Sequence, residues 1–289
     1  MLRAALESLR PRQWIKNGFV FAALVFDRQL TRPQAVLWTL AGFALFCLLS
    51  SAVYLVNDLS DREQDRQHPR KRHRPIASGR LPVPVAVGMA VAFPLVVLPL
   101  AFWLRPAFGW VAFGYYALML LYTFVLKHIP LLDVFALAAG FLLRVEAGVT
   151  LIEVQRFSPW LYMVTLFVAL FLGLGKRRAE LELLAHNAGN HRKVLEGYTL
   201  PFLDQLITIA ATATVMTYSL YTFSAPNLPA NHAMMFTVPF VAYGLFRYLY
   251  LIHVRGYGGA PEEAVLRDRP LQLTVAAWGL LVLAVFYFF

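Results

Sequence analysis

Apolar residues run along this chain in long unbroken blocks, not in the alternation of a strand or the spaced stripe of a surface helix. Eight blocks approach or exceed the roughly 20 apolar residues that carry a helix across a bilayer: 35–56, 82–104, 107–126, 131–152, 157–175, 201–224, 233–252 and 271–289. Each is bounded by charge, proline or glycine. A ninth block, Trp14 to Phe26, is shorter and contains Lys16 and Asn17 near its start. By length alone it reads either as a crossing or as an interfacial helix. It lacks the small-residue cleavage site of a signal peptide. Pro82, Pro84, Pro94 and Pro99 predict a kinked third crossing, tolerated in lipid because neighbouring groups re-satisfy the backbone.

Charge decides the ninth block. If all nine cross with the N-terminus cytoplasmic, 20 of the 26 Lys and Arg fall on inner segments, and only Arg28, Arg32, Arg105 and Arg156 fall outside. That asymmetry is the positive-inside pattern. The expected fold is therefore all-α: a polytopic membrane protein of nine transmembrane helices, N-terminus in and C-terminus out, forming one integral membrane domain over 1–289. Its longer inner segments, about 57–80, 176–198 and 253–270, are expected to hold the working residues.

Composition agrees. The chain is 59% hydrophobic and only 15% charged, against about 25% charged in a soluble domain. Its single cysteine, Cys47, excludes an intramolecular disulfide and a Cys-rich metal site. The net charge of +10 is read as basic cytoplasmic loops on a bilayer, so no nucleic-acid partner is expected. A homo-oligomer is compatible with the sequence. Neither a Walker A, a GxSxG nor an HExxH motif is present.

Candidate chemistry starts where the second crossing ends, at Asn57-Asp58-Leu59-Ser60-Asp61-Arg62-Glu63-Gln64-Asp65. If the helix continues, Asn57, Asp61, Asp65 and Asp58 share one face, within about 100° of arc at 100° per residue. Hard oxygen donors grouped this way suit Mg²⁺, which keeps waters and is completed by substrate phosphates. The plainer reading is a solvated helix end whose carboxylates meet nearby arginines. The basic run His68 to Arg80 follows, with Lys71 and Arg74 as the leading phosphate ligands and lipid-headgroup anchoring as the alternative. Lys16 and Lys127 stand at the inner ends of crossings, either to meet phosphate or to snorkel. Asp133, Arg144, Glu146 and Arg247 lie within spans, where an ionisable group usually faces the bundle interior. Arg144 is read as reaching a ligand; the alternative for these span charges is a buried ion pair, for example Asp133 or Glu146 with Arg247. Lys176-Arg177-Arg178 reads as a basic helix end, and His186 with His191 as an unremarkable polar loop.

The N-D-x-x-D-x-x-x-D string, the nine crossings and the basic inner loop together resemble the UbiA superfamily of intramembrane prenyltransferases. Within it, the chain resembles the branch that transfers phosphoribose to decaprenyl phosphate. That finer likeness is carried by Arg10-Pro11-Arg12-Gln13-Trp14-Ile15-Lys16-Asn17, by Ser51 to Arg80, by Lys176-Arg177-Arg178-Ala179-Glu180-Leu181 and by Phe202-Leu203-Asp204-Gln205. The chain departs from the wider family in two places. Residues 176–204 hold Glu180, Glu182, Glu196 and Asp204 but no D-x-x-x-D, and the family's Y-x-x-x-K is only approximated by Tyr122 and Lys127, one residue further apart.

The resemblance implies a UbiA-like bundle in the bacterial inner membrane with a cytoplasmic active site. It implies transfer of 5-phosphoribose from phosphoribosyl pyrophosphate (PRPP) to a polyprenyl phosphate. On this expectation Asn57, Asp61 and Asp65 hold Mg²⁺, and Asp58, Asp61 and Tyr54 are catalytic. Lys16, Tyr54, Lys71, Arg74 and Lys127 bind PRPP, and Lys127 and Arg144 bind the lipid phosphate. Two rival readings are an aromatic prenyltransferase of the same fold and a cation-dependent transporter.

Overall fold

A computed structural model describes residues 1–67, 71–154, 157–185, 193–226, 228–255 and 267–288. Among them helix is the only regular structure. Eight helices are long and apolar enough to cross a membrane. In chain order the α-helices are α1 (Leu2–Ser8), α2 (Ala22–Phe26), α3 (Pro33–Ser60), α4 (Arg62–Gln67), α5 (Val83–Leu104), α6 (Pro106–Phe124), α7 (Leu132–Leu151), α8 (Pro159–Ala185), α9 (Leu200–Ser224), α10 (Val238–His253) and α11 (Arg269–Phe288). Proline marks the start of most of them. Pro33, Pro106, Pro159, Pro201, Pro239 and Pro270 stand in first turns, where the missing N–H has no partner to lose and φ is already helical.

The ninth expected crossing takes an unusual form. Pro11–Phe21 is an 11-residue 3₁₀ helix that runs into the five-residue α2. At about 2.0 Å per residue for the first part and 1.5 Å for the second, this short block reaches roughly 30 Å, the thickness of the hydrocarbon core. That length includes the polar residues Arg12, Gln13, Lys16 and Asn17, and the segment is not among the eight helices long and apolar enough to cross. Two other expectations are refined. The α5 helix runs unbroken through Pro94 and Pro99. Residues 176–185, expected within an inner loop, continue α8.

The chain divides into two compact units, Met1–Gln155 and Arg156–Phe289. In the first, α3 packs on α5, α6 and α7, and the 3₁₀ segment lies against α3 and α7. Half of the apolar window is buried in α3 and α7 but only 28% in α5, so α3 and α7 form the centre. Leu95, Trp103 and other large side chains of α5 point outward. Gly148 on α7 has the Val20 carbonyl where a Cβ would stand, which lets the 3₁₀ backbone press directly onto α7. In the second unit, α8 packs along α9, and α10 pairs with α11. Trp278 donates to the buried Tyr218 hydroxyl at 2.8 Å, which in turn meets Thr237 at 2.6 Å.

Candidate active site

The site is built at the polar end of α3. The α-helix stops at Ser60, Asp61 takes φ −92° and ψ 7°, and α4 resumes at Arg62. Two backbone bonds bridge the break, from Asp61 N to the Asn57 carbonyl (2.9 Å) and from Asp65 N to the Asp61 carbonyl (2.8 Å). The single continuous helix expected over 57–65 is thus two helices joined by one non-helical residue. The path is preserved, and the oxygen-bearing side chains remain together.

Each carboxylate is met by a cation from a distant part of the first unit. Asp58, only 2% exposed, accepts from Arg10 at 2.5 Å and from Arg74 at 2.9 Å through the same oxygen, Oδ1. The Arg74 nitrogen also reaches Asp65 Oδ2 at 2.6 Å. Lys127, in the short 3₁₀ turn Leu126–His128, places its buried ammonium 2.6 Å from Asp61 Oδ1. The other Asp61 oxygen accepts from Asn57 Nδ2 at 3.2 Å. Among the described residues, no three His, Cys, Asp or Glu side chains group closely enough to hold an ion by themselves.

The basic loop has a defined shape. Lys71 opens a single 3₁₀ turn, Arg74 N donates to the Lys71 carbonyl at 2.9 Å, and Gly79 takes φ +77°, a conformation glycine adopts without a Cβ penalty. Arg80 grips Glu7 of α1 with two bonds of 2.8 and 3.0 Å. Those bonds hold the Glu7 carboxyl below its ordinary pKa. This exposed pair therefore ties α1 to the loop. Residues 68–70, and the His186–His191 stretch, lie outside the described residues.

A second polar network lies within the membrane-spanning part of the same unit. Arg144 on α7 is 5% exposed. It donates to Asn17 Oδ1, the Gly140 carbonyl and the Tyr115 hydroxyl, each at 2.8 Å. Its guanidinium also lies 4.7 Å from the Tyr115 ring centroid. Asn17 in turn donates to Ser50 at 3.1 Å. Every hydrogen-bond acceptor here is neutral, so among the described residues the buried charge of Arg144 has no carboxylate partner. The ion pair offered for Arg247 takes another form: Arg247 is bound by Asp268 through two bonds of 3.1 and 2.8 Å.

The model of the UbiA prenyltransferase family matches residues 18–264. The chain belongs to this family. Among its UbiA relatives is a decaprenyl-phosphate phosphoribosyltransferase from Corynebacterium glutamicum, 38% identical across 94% of this chain and 83% of the relative. Another, of the same name, from Mycolicibacterium smegmatis, is 35% identical across 100% and 94%. A solved UbiA homologue from Archaeoglobus fulgidus, bound to DMAPP and Mg²⁺, superposes with a TM-score of 0.74 over 99% of both chains at 18% identity. It establishes the shared fold.

In the second unit, described acids of the 176–204 stretch pair with arginines. Arg177 pairs with Glu180 at 2.7 Å. Arg178 binds Glu182 at 2.9 Å and Asp204 at 2.6 Å, and His253 closes on Asp204 at 3.1 Å. Three helices, α8, α9 and α10, are cross-linked by this chain of contacts, and the acids of 180–204 described in it are each engaged by Arg.

Of the residues singled out from sequence, Asn57, Asp58, Asp61, Asp65, Arg74 and Lys127 come together. Lys71 stands one turn from Arg74, and Tyr54 joins through Arg10, whose guanidinium lies 4.9 Å from its ring centroid. Lys16, half-buried, precedes Asn17 on the 3₁₀ segment, and Arg144 belongs to the second network. Sequence reading did not single out Arg10, Asn17 or Tyr115, which the structure brings into these two networks. For Arg10 a signal existed: a basic residue directly before a proline at the inner end of the first crossing.

Proposed function

We propose that this chain is a membrane phosphoribosyltransferase, moving 5-phosphoribose from PRPP to a polyprenyl phosphate such as decaprenyl phosphate and releasing pyrophosphate. The observation that carries it is the interleaving of Asp58, Asp61 and Asp65 with Arg10, Arg74 and Lys127 at one end of α3. A diphosphate donor needs such an alternation of acidic oxygen donors and cations. The near full-length likeness to named decaprenyl-phosphate phosphoribosyltransferases supports the same reading.

The reaction is a displacement at the ribose anomeric carbon. The bond from C1 to the pyrophosphate oxygen breaks, and a lipid phosphate oxygen forms the new bond with inversion. That phosphate is anionic at neutral pH, so the chain need supply no strong base. The residues present fit a divalent cation: Asp61, Asp65 and the amide of Asn57 are hard oxygen donors, and too few to bind without added phosphate oxygens. Bound by them, Mg²⁺ supplies charge stabilisation for the departing pyrophosphate. Lys127 and Arg74, now spent on carboxylates, are placed to take phosphate oxygens of the donor, with Lys16 and Lys71 extending the cradle and Tyr54 lining the sugar. Asp58, buried and acceptor-only, holds Arg10 and Arg74 in place. Arg144, charged without a carboxylate partner among the described residues, suits the lipid phosphate.

The distribution of basic residues supports a cytoplasmic N-terminus and site, and the bacterial relatives support a bacterial inner membrane as its location. The absence of a D-x-x-x-D between residues 176 and 204 weighs against a second metal-diphosphate site, and so against a prenyl diphosphate donor.

The test is purified protein in detergent or vesicles with Mg²⁺, polyprenyl phosphate and PRPP labelled in the ribose. Label is expected in the lipid phase, and Asp61→Asn is expected to lose transfer while still eluting as a folded, monodisperse species with a lowered unfolding midpoint. Consumption of a prenyl diphosphate instead of PRPP would establish the aromatic prenyltransferase reading. Uptake of label into sealed vesicles without chemical conversion would establish a transporter.

A further inference from the structure

Arg10 combines features that its neighbours lack. Its backbone takes φ 52° and ψ 58°, the left-handed region, although a residue before proline is normally extended. Non-glycine residues held there cluster at functional sites, where the surroundings over-determine them. Those surroundings are visible. Ser51 donates to the Leu9 carbonyl at 2.9 Å, Trp14 donates to Ser51 at 3.1 Å, and Gln13 N donates to the Arg10 carbonyl at 2.8 Å. The chain is thus clamped on both sides of Arg10 so that its side chain turns back onto Asp58.

Charge explains what the clamp achieves. Asp58 and Asp65 share Arg74. With Arg74 alone these two buried carboxylates would leave the cluster at −1. Arg10 brings it to neutrality. Its guanidinium, a quarter exposed, covers Asp58 and the Tyr54 ring together. A net negative cluster beside a polyanionic donor would repel it, and would hold Arg74 more tightly on the acids.

We infer that Arg10 is a positioning residue for the donor: by neutralising Asp58 it releases Arg74 for phosphate, and by stacking on Tyr54 it fixes the ring beside the sugar. The inference rests on the phosphoribosyl-transfer reading above.

The test measures steady-state constants for both substrates in wild type, Arg10→Ala, Arg10→Lys and the double variant Arg10→Ala/Asp58→Asn. Monodisperse elution and thermal unfolding serve as the fold check. Arg10→Ala is expected to raise KM for PRPP about tenfold while KM for the lipid stays within about twofold, the mark of lost donor binding and not of lost fold. Arg10→Lys is expected to lie between. The double variant restores neutrality but not the stacking on Tyr54, so it is expected to recover only part of the loss, with KM for PRPP clearly below that of Arg10→Ala. If Arg10→Ala does not fold, Arg10→Lys and the double variant carry the same comparison. Equal changes for both substrates, a fall in kcat alone, or no recovery in the double variant overturns the role of Arg10 and leaves the proposed activity standing. A wild type that ignores PRPP overturns both.

Discussion

The Lys127 ammonium lies 2.6 Å from Asp61 Oδ1, joining residues 66 positions apart. Both side chains are largely buried, at 6% and 16% exposure. Removing one partner of such a pair leaves the other charged and unpaired, which costs more than the pair itself contributes. Lys127→Met is therefore expected to destabilise the protein by about 3–5 kcal/mol and to lower turnover by about 10²–10³. Adding Asp61→Asn to it is expected to restore the unfolding midpoint but not the activity. Thermal unfolding beside the label-transfer assay separates the two, and recovered activity in the double variant would remove Lys127 and Asp61 from the reaction.

Arg74 serves two carboxylates through one nitrogen. The proposed reaction asks the same guanidinium to meet the donor. Arg74→Ala is expected to raise KM for PRPP by at least about tenfold more than KM for polyprenyl phosphate, since it removes a charge-assisted contact made to one substrate only. An unchanged PRPP dependence would return the His68–Arg80 run to membrane anchoring.

How much of this was legible in the chain depends on the range of the interaction concerned. The apolar blocks located α3 and α5 to α7 to within a few residues, because hydropathy over a bilayer thickness is a local property. So was the grouping of Asn57, Asp58, Asp61 and Asp65, which follows from helical spacing. The 3₁₀ form of Pro11–Phe21 was not legible, and neither was its close approach to α7, where Gly148 admits the Val20 carbonyl from a distant part of the chain. The extension of α8 through Arg178 was hidden because its polar end breaks the apolar run; its pair with Glu182 is a local i,i+4 contact, and only the pair with Asp204 is tertiary. Arg10 was quoted as part of a motif but given no role. Its contact with Asp58 spans 48 positions, and no local pattern announces it.

Arg144 is held by three neutral acceptors, one of them the Tyr115 hydroxyl. Tyr115→Phe keeps the ring under the guanidinium and removes that acceptor. A buried donor left unsatisfied costs about 1–3 kcal/mol, so the unfolding midpoint is expected to fall. If Arg144 faces the lipid phosphate, KM for polyprenyl phosphate is expected to rise about threefold to tenfold with KM for PRPP unchanged. A stability loss with both constants unchanged would make the network purely structural.

Asp268 stands at the start of α11, where it binds Arg247 of α10 twice and also accepts from Leu271 N at 2.9 Å. The hydrogen bonds from Arg247, joined by that backbone bond, hold its carboxyl below the ordinary range. A depressed carboxylate stabilises the fold fully above its unfolded pKa of about 4, and that contribution is lost as pH falls through the lower folded value. Asp268→Asn is thus expected to unfold more easily at pH 7, by about 1–2 kcal/mol for a lost cap and its charged pair. The gap to wild type is expected to hold down to about pH 4 and to close below it, as wild-type Asp268 is protonated. Other carboxylates titrate in both proteins, so the difference between the two unfolding curves is the quantity to read. A gap that stays constant into strong acid would show that the α10–α11 link does not depend on the Asp268 charge.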